Sequence, residues 1–591
     1  MSIGFNRKSF IILISIILCV FSITFAKDSN QNHNLIIKIS EPAQNFPKWQ
    51  HKILPIECVR FDFLQDGLLK KILFADMRTK RSPDWPADCN IVPYEFVLEL
   101  SENKSLLEAG NCTITASIWG YSKWQKEIAL ERGGRTELDV CLSRDPYFGM
   151  IVSPRLMTGL TCLREKKFTI EVNAPPCAEN WDAFLSSEYF SFPLKIYDKK
   201  YGKSQIRNNT GAGWKLTVQA NSKTAEDLYD LNIYCSTGKS TQPKAVRILK
   251  ELPDTFYIAG NFHHALDLVS VSPDNEIADL FTDTVNIINP VFYANVEDVG
   301  YEDERIWGRI SYCLIKYLNV PYYHGLGNHD RGKAASTKHY DYKPVPDESN
   351  SIEYYKYYCG MLYQSRDIGD RLHVVLPYCP DQWTIHNPRP QQQQWIKADL
   401  LAHKRSDMRL ITCAHLIWGQ SSKDSPYELT DLLDKKYRLN LVLADDFHRP
   451  QAMCGSVPTF FGGLAKSPKL DEIGILEISK NKNFKGLNEC ETYFYGNNHV
   501  RYYKIKKFDL QFSAPNDGTK TVLTATIIRS GGNQEIIKNG RIRFVLKKGS
   551  YSANGGKIYQ QIDSSDGGKT IVDIETDIGY PSTEVTVFPK S

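Results

Sequence analysis

Val320-Pro-Tyr-Tyr-His-Gly-Leu-Gly-Asn-His-Asp330 is the stretch on which the reading of this chain turns. A short β-like run ends in a turn marked by Gly325 and Gly327, which sets an amide, an imidazole and a carboxylate side by side at Asn328, His329 and Asp330. Such groups ligate metals and move protons, and the end of a strand is where a layered α/β fold exposes them. Upstream, Arg305 to Leu318 reads as a helix that leads into the strand.

Outward from that stretch the alternation repeats, and it predicts an α/β domain over residues 250–485. Phe256-Tyr-Ile-Ala259 reads as a strand, and Gln391 to His403 as a helix with Ile396 and Leu400 one turn apart. That helix feeds the strand Arg409-Leu-Ile-Thr-Cys413, and a helix from Glu428 to Tyr437 feeds Leu439-Asn-Leu-Val-Leu443. Each strand end then carries polar groups of metal-ligand type. Ala259-Gly-Asn-Phe-His263 presents Asn261 and His263; Ala294-Asn295 presents an amide; Thr412-Cys-Ala-His415 presents an imidazole; Leu443-Ala-Asp-Asp-Phe-His448 presents Asp446 and His448.

Five such ends in this order resemble the calcineurin-like metallophosphoesterases, whose motifs run Asp-x-His, Gly-Asp, Gly-Asn-His-Asp/Glu, a lone His and Gly-His-x-His. The resemblance covers residues 253–479. It implies a two-metal centre that clamps a phosphate and activates a bridging hydroxide. By resemblance Asn261, His263, Asn295, Asn328, His415, Asp446 and His448 are the metal ligands, and His329 is the phosphate-binding acid, oriented by Asp330.

The sequence departs from that pattern at three places. Asn261 and Asn295 stand where the family has aspartates, the second of them the bridging one, and Asp446 replaces a histidine. An amide coordinates through oxygen but brings no charge, so the expected donor set offsets less of the cations' repulsion. The implied cofactor is a divalent metal (Zn, Fe or Mn), as one or two ions, or none; His415, Asp446 and His448 suffice for one. Two functions follow: a metal-dependent phosphoester hydrolase, or a catalytically impaired pseudo-phosphatase acting as an extracellular binding protein. The expected partner is a phosphorylated small molecule, or a glycan or protein ligand. Neighbouring His264 and His324 read as surface or supporting groups, Asp298 and Asp445 as alternative carboxylates, and Cys413 as a buried thiol.

The flanks have a different texture. Residues 27–249 alternate with period two in runs such as Leu35-Ile-Ile-Lys-Ile39 and Phe168-Thr-Ile-Glu-Val172, and residues 486–591 return to it in Arg541-Ile-Arg-Phe-Val-Leu546. The expected whole is multidomain: a central α/β metallophosphoesterase-like β-sandwich flanked by helices, with N-terminal and C-terminal all-β sandwich modules. Residues 1–26 read as a signal peptide, with Arg7 and Lys8 before an apolar run and Thr24-Phe25-Ala26 as its cleavage site. That predicts a secreted or lumenal protein with no membrane span once the signal is removed. Of fourteen cysteines, Cys19 leaves with the signal, and several of the remaining thirteen are expected in disulfides, with Cys313, Cys413 and Cys454 the candidates to stay unpaired. Asn103, Asn111 and Asn208 head glycosylation sequons. The formal charge of +4 over 591 residues, with no basic block interleaved with aromatics, gives no sign of a nucleic-acid partner.

Overall fold

The computed structural model describes residues 33–40, 59–76, 91–93, 95–100, 107–131, 134–145, 147–203, 212–260, 284–295, 311, 314–325, 359–377, 390–403, 408–413, 436–437, 439–444, 451–454, 457–461, 472–480, 492–495, 498–529, 531 and 534–590. Its chain divides into two compact units, one ending at Asp145 and one starting at Pro146.

The first unit is a β-sandwich. A three-stranded sheet centred on His33–Ser40 faces a five-stranded sheet that contains Val59–Gln65 and Gly110–Ser117. Alternate residues Val59, Phe61 and Phe63 point inward with Leu35, Ile37, Ile114 and Val140, all fully buried. The turn after Gln65 falls on Asp66-Gly67, both at positive φ (52° and 74°), the backbone a two-residue hairpin demands.

The second unit begins with another sandwich. Five strands, among them Asp227–Cys235 and Gly238–Leu249, face four, among them Lys167–Val172 and Ala212–Gln219. Ile170, Val172, Leu216, Val218, Leu231, Ile233 and Ile248 fill the space between them.

Next comes the central domain, numbered here from β1: β1 (Thr255–Gly260), β2 (Phe292–Asn295), β3 (Tyr322–His324), β4 (Gln364–Ile368), β5 (Leu372–Leu376), α1 (Pro390–Ala402), β6 (Met408–Cys413), β7 (Leu441–Ala444), β8 (Gln451–Cys454), β9 (Val457–Phe461), β10 (Glu472–Ser479), β11 (Thr492–Tyr495) and β12 (Asn498–Lys506). Two six-stranded mixed sheets form, in the orders β3-β2-β1-β10-β12-β11 and β4-β5-β6-β7-β9-β8. Strands β1, β2 and β3 are parallel, as are β5, β6, β7 and β9. Their facing sides meet in one core, where Ile258, Phe292 and Leu476 of the first sheet pack with Val374, Leu410 and Leu443 of the second. The first sheet continues through Lys506, because β12 pairs with β10 along its whole length, so the sheet passes the boundary at 485 expected from sequence. Helix α1 buries Ile396 and Leu400 completely, the pair whose one-turn spacing predicted it.

A C-terminal sandwich of four and three strands follows from Phe508. One side of its three-stranded sheet carries Val545 and Ile571 into the core of the preceding sandwich. The same side holds an ion network. Arg543 donates two bonds to Asp573 (2.8 and 3.0 Å) and one to Asp227 of the neighbouring module (2.9 Å). Gln560 donates to the Glu226 carbonyl (2.8 Å) and to Asp573 (2.6 Å). Tyr559 donates to the Glu226 carboxylate (2.6 Å), and Arg541 lies over the Tyr559 ring. Burial pushes the Asp573 carboxyl up, but Arg543 holds it below the usual carboxylate range. Removing one partner of such a cluster strands the others' charges in the interior. Asp573→Asn is therefore expected to destabilise the second unit by about 3 kcal/mol, read as an earlier transition in urea or thermal unfolding.

Candidate functional site

Parallel strands put every crossover loop of one direction at the same sheet edge. Arg371, just before β5, donates to the carbonyls of Pro253 (2.6 Å) and Asp254 (3.3 Å), just before β1, and its guanidinium lies 4.8 Å from the Phe256 ring. That clasp joins the starts of the two sheets, so β1, β2, β3, β6 and β7 run toward the same opposite end. Their last residues, Gly260, Asn295, His324, Cys413 and Ala444, stand immediately before or within the five motif segments.

Of the expected ligands and catalytic residues, Asn295 is described; Asn261, His263, Asn328, His329, Asp330, His415, Asp446 and His448 lie outside the described residues. Asn295 is 1% exposed and closes β2, with its Cα registered opposite that of His324. The Gly325 amide donates to the Asn295 carbonyl (3.1 Å), which ties the start of the Gly-x-Gly turn to β2. His324, read from sequence as a surface or supporting group, is completely buried, and its ring stacks on Tyr322. The reason is a loop of the preceding sandwich that covers β3: Thr158 bridges to Tyr323, and the His324 amide donates to the Met157 carbonyl (3.0 Å). Arg366 on β4 holds the same loop through the carbonyls of Thr158 (3.0 Å) and Gly159 (3.1 Å).

Asn111 is exposed at the start of a strand, while Asn103 and Asn208 lie outside the described residues. Cys112, Cys141, Cys162, Cys177 and Cys235 are thiols, and burial raises those of Cys112 (to about 11) and Cys162 (to about 12). Cys58, Cys89, Cys313, Cys379 and Cys490 lie outside the described residues. Among those residues no helix is long and apolar enough to cross a membrane.

At the other end of the domain the structure assembles a cluster that sequence reading missed. Asp367 on β4 is registered opposite His373 on β5, and Asp399 and His403 lie one turn apart at the end of α1. His373 Nδ1 is 2.7 Å from Asp367 Oδ1, and His373 Nε2 is 2.7 Å from Asp399 Oδ2. His403 Nδ1 donates to the Asp399 carbonyl (2.8 Å), and its Nε2 is 3.3 Å from Asp367 Oδ2. Ser365 donates to the remaining Asp399 oxygen (3.0 Å), and the two imidazoles stack 3.9 Å apart. His373 is wholly buried, because it sits on the outer face of its sheet beneath α1. A signal did exist: the Asp-x3-His pair on a predicted helix, and the Asp and His flanking the Gly369-Asp370 hairpin.

The hydrogen bond to Asp367 raises the His403 imidazole to about 9. Burial lowers His373, and the bonds to Asp367 and Asp399 outweigh it, leaving a net rise. For Asp367, burial pushes up and the two imidazoles hold it well below the carboxylate range.

No family model matches the chain, and no curated protein matches it. Solved structures similar to it include a Bacteroides ovatus mixed-linkage glucan utilization locus protein, SGBP-B, in complex with a mixed-linkage heptasaccharide (13% identity, 39% of this chain, 46% of that one, TM-score 0.15). Others are the Bacillus anthracis TIE protein (11% identity, 39% of this chain, 35% of that one, TM-score 0.13) and the major pilin SpaD of Corynebacterium diphtheriae (10% identity, 39% of this chain, 68% of that one, TM-score 0.12). The match spans less than half the length of the first two. TM-scores this low carry no argument about fold or function.

Imidazoles raised on folding stabilise fully below about pH 6.5 and lose that contribution as pH climbs through about 9 for His403. Asp367, depressed on folding, contributes above its unfolded value and fails only on strong acidification. The metal-free protein is therefore expected to lose on the order of 1 kcal/mol between pH 6.5 and 9, after screening at the half-exposed Asp367. Urea midpoints across that window should fall for wild type and stay flatter for His403→Gln.

Proposed function

We propose that the central domain is a calcineurin-like phosphoesterase fold whose strand-end site binds a phosphorylated ligand and does not carry out two-metal hydrolysis. Asn295 is the observation that carries this reading. Its amide is buried at the end of β2, where the resemblance calls for the carboxylate shared by both cations. Two cations at close range repel strongly in a water-poor site, and a neutral amide does nothing to offset that. A dinuclear centre does not fit these residues.

One ion fits better. His415, Asp446 and His448 offer two imidazoles and a carboxylate, a set suited to zinc, iron or manganese. Such an ion polarises a phosphoryl oxygen when bound. By resemblance His329, steadied by Asp330, would donate a hydrogen bond to the same group. The parallel strand order, the facing sheets and the shared strand-end edge support this fold reading. The signal-like leader and the β modules support an extracellular binding role, with glycans or proteins as ligands of those modules.

Metal-supplemented wild type is expected to hydrolyse p-nitrophenyl phosphate no faster than His329→Ala, while inorganic phosphate raises the thermal midpoint of wild type alone. Metal-dependent turnover that vanishes in His329→Ala would establish the hydrolase instead. Absence of both turnover and any phosphate effect would remove both readings. Asn295→Asp places a carboxylate in a buried position and should cost roughly 1–3 kcal/mol in metal-free protein, a loss that added divalent metal should partly recover in thermal unfolding.

A further inference from the structure

The Asp367, His373, Asp399 and His403 cluster has the connectivity of a metal site with its supporting residue in place. Asp399 engages one nitrogen of each imidazole: its carboxylate meets His373 Nε2 (2.7 Å) and its backbone carbonyl meets His403 Nδ1 (2.8 Å). A carbonyl only accepts, so the His403 hydrogen sits on Nδ1, and Nε2 of the neutral ring carries the lone pair. A carboxylate or carbonyl on the far nitrogen is how protein-bound metals find their histidines oriented. The two remaining nitrogens, His373 Nδ1 and His403 Nε2, face the two oxygens of a single carboxylate, Asp367, at 2.7 and 3.3 Å. One ligand atom from each of the three residues lies within 4.8 Å of the others.

We propose that Asp367, His373 Nδ1 and His403 Nε2 bind a divalent transition-metal ion, with Asp399 orienting both imidazoles. Two nitrogens and one carboxylate select zinc or its first-row neighbours over magnesium or calcium, which prefer oxygen throughout. Asp367 is 49% exposed and His403 32%, so the ion has a route in and a coordination position open to water. Metal–ligand bonds of about 2.0–2.2 Å at tetrahedral angles set ligand atoms somewhat over 3 Å apart, so the 2.7 Å contact must widen slightly. The near-parallel stack of the rings (12°) aims the two lone pairs side by side, so loading also tilts His403, the ring past the end of α1. The site lies at the start of β5, away from the strand ends that carry the phosphoesterase resemblance, and does not depend on that reading.

The test uses the full chain, stripped with EDTA and titrated with zinc. Wild type is expected to take up one more equivalent at micromolar zinc than either His403→Ala or Asp367→Asn. Asp399→Asn should weaken that equivalent about 10- to 100-fold. His448→Ala, in the segment that carries the phosphoesterase resemblance, should leave it in place. Cobalt loading should give a visible absorption band in wild type that His403→Ala loses. Zinc uptake by His403→Ala and Asp367→Asn equal to that of wild type would overturn the proposal. So would a wild-type cluster that takes no zinc and behaves only as two imidazolium–carboxylate pairs. Both substituted side chains are partly exposed, and circular dichroism that matches wild type separates lost ligation from lost folding.

Discussion

Parallel pairing is the constraint from which the central domain follows. A parallel strand cannot return to its neighbour by a tight turn, so each pair of strands in β1–β3 and β5–β7 needs a long crossover. Those crossovers leave from one edge and re-enter at the other. Arg371, bonded to Pro253 and Asp254, brings the two starting edges together, and the core between the sheets keeps them in step. Chemistry then has two places to collect: one end where strands hand over to loops, and one where helices and hairpins return. The protein has polar groups at both.

The two ends differ in how easily the sequence reveals them. For the strand-end edge, the residues expected to act come shortly after apolar β runs in the sequence, as Asn328 to Asp330 come after Val320 to Tyr323, so a linear pattern marks them. At the opposite end, Asp367 and His373 come from adjacent strands and Asp399 and His403 from a helix. No contiguous motif brings these four together; only the hairpin register and the docking of α1 do. Strands with clean alternation, such as Phe168–Val172, are readable because one face is buried, and α1 is readable from Ile396 and Leu400. The extension of the first sheet through β12 was not, because membership in a sheet is settled by non-local pairing with β10.

His324 shows the same limit from another side. Sequence places it in a turn beside glycines, where exposure is the ordinary outcome. Its burial comes from a loop more than 150 residues earlier, contributed by a different sandwich. Long-range cover of this kind has no local signature.

That covering loop also changes what counts as the domain. Strand β3 is the outer strand of its sheet, and an uncovered outer strand offers unpaired amides and carbonyls to any passing chain. Met157 and Thr158 occupy part of that row, and Arg366 pins them there. A fragment cut at the apparent start of the central domain, near residue 250, would shed this guard and carry a sticky margin into solution. The shortest self-contained piece of the central domain therefore begins before Ser153, inside what the strand pattern alone presents as a separate module.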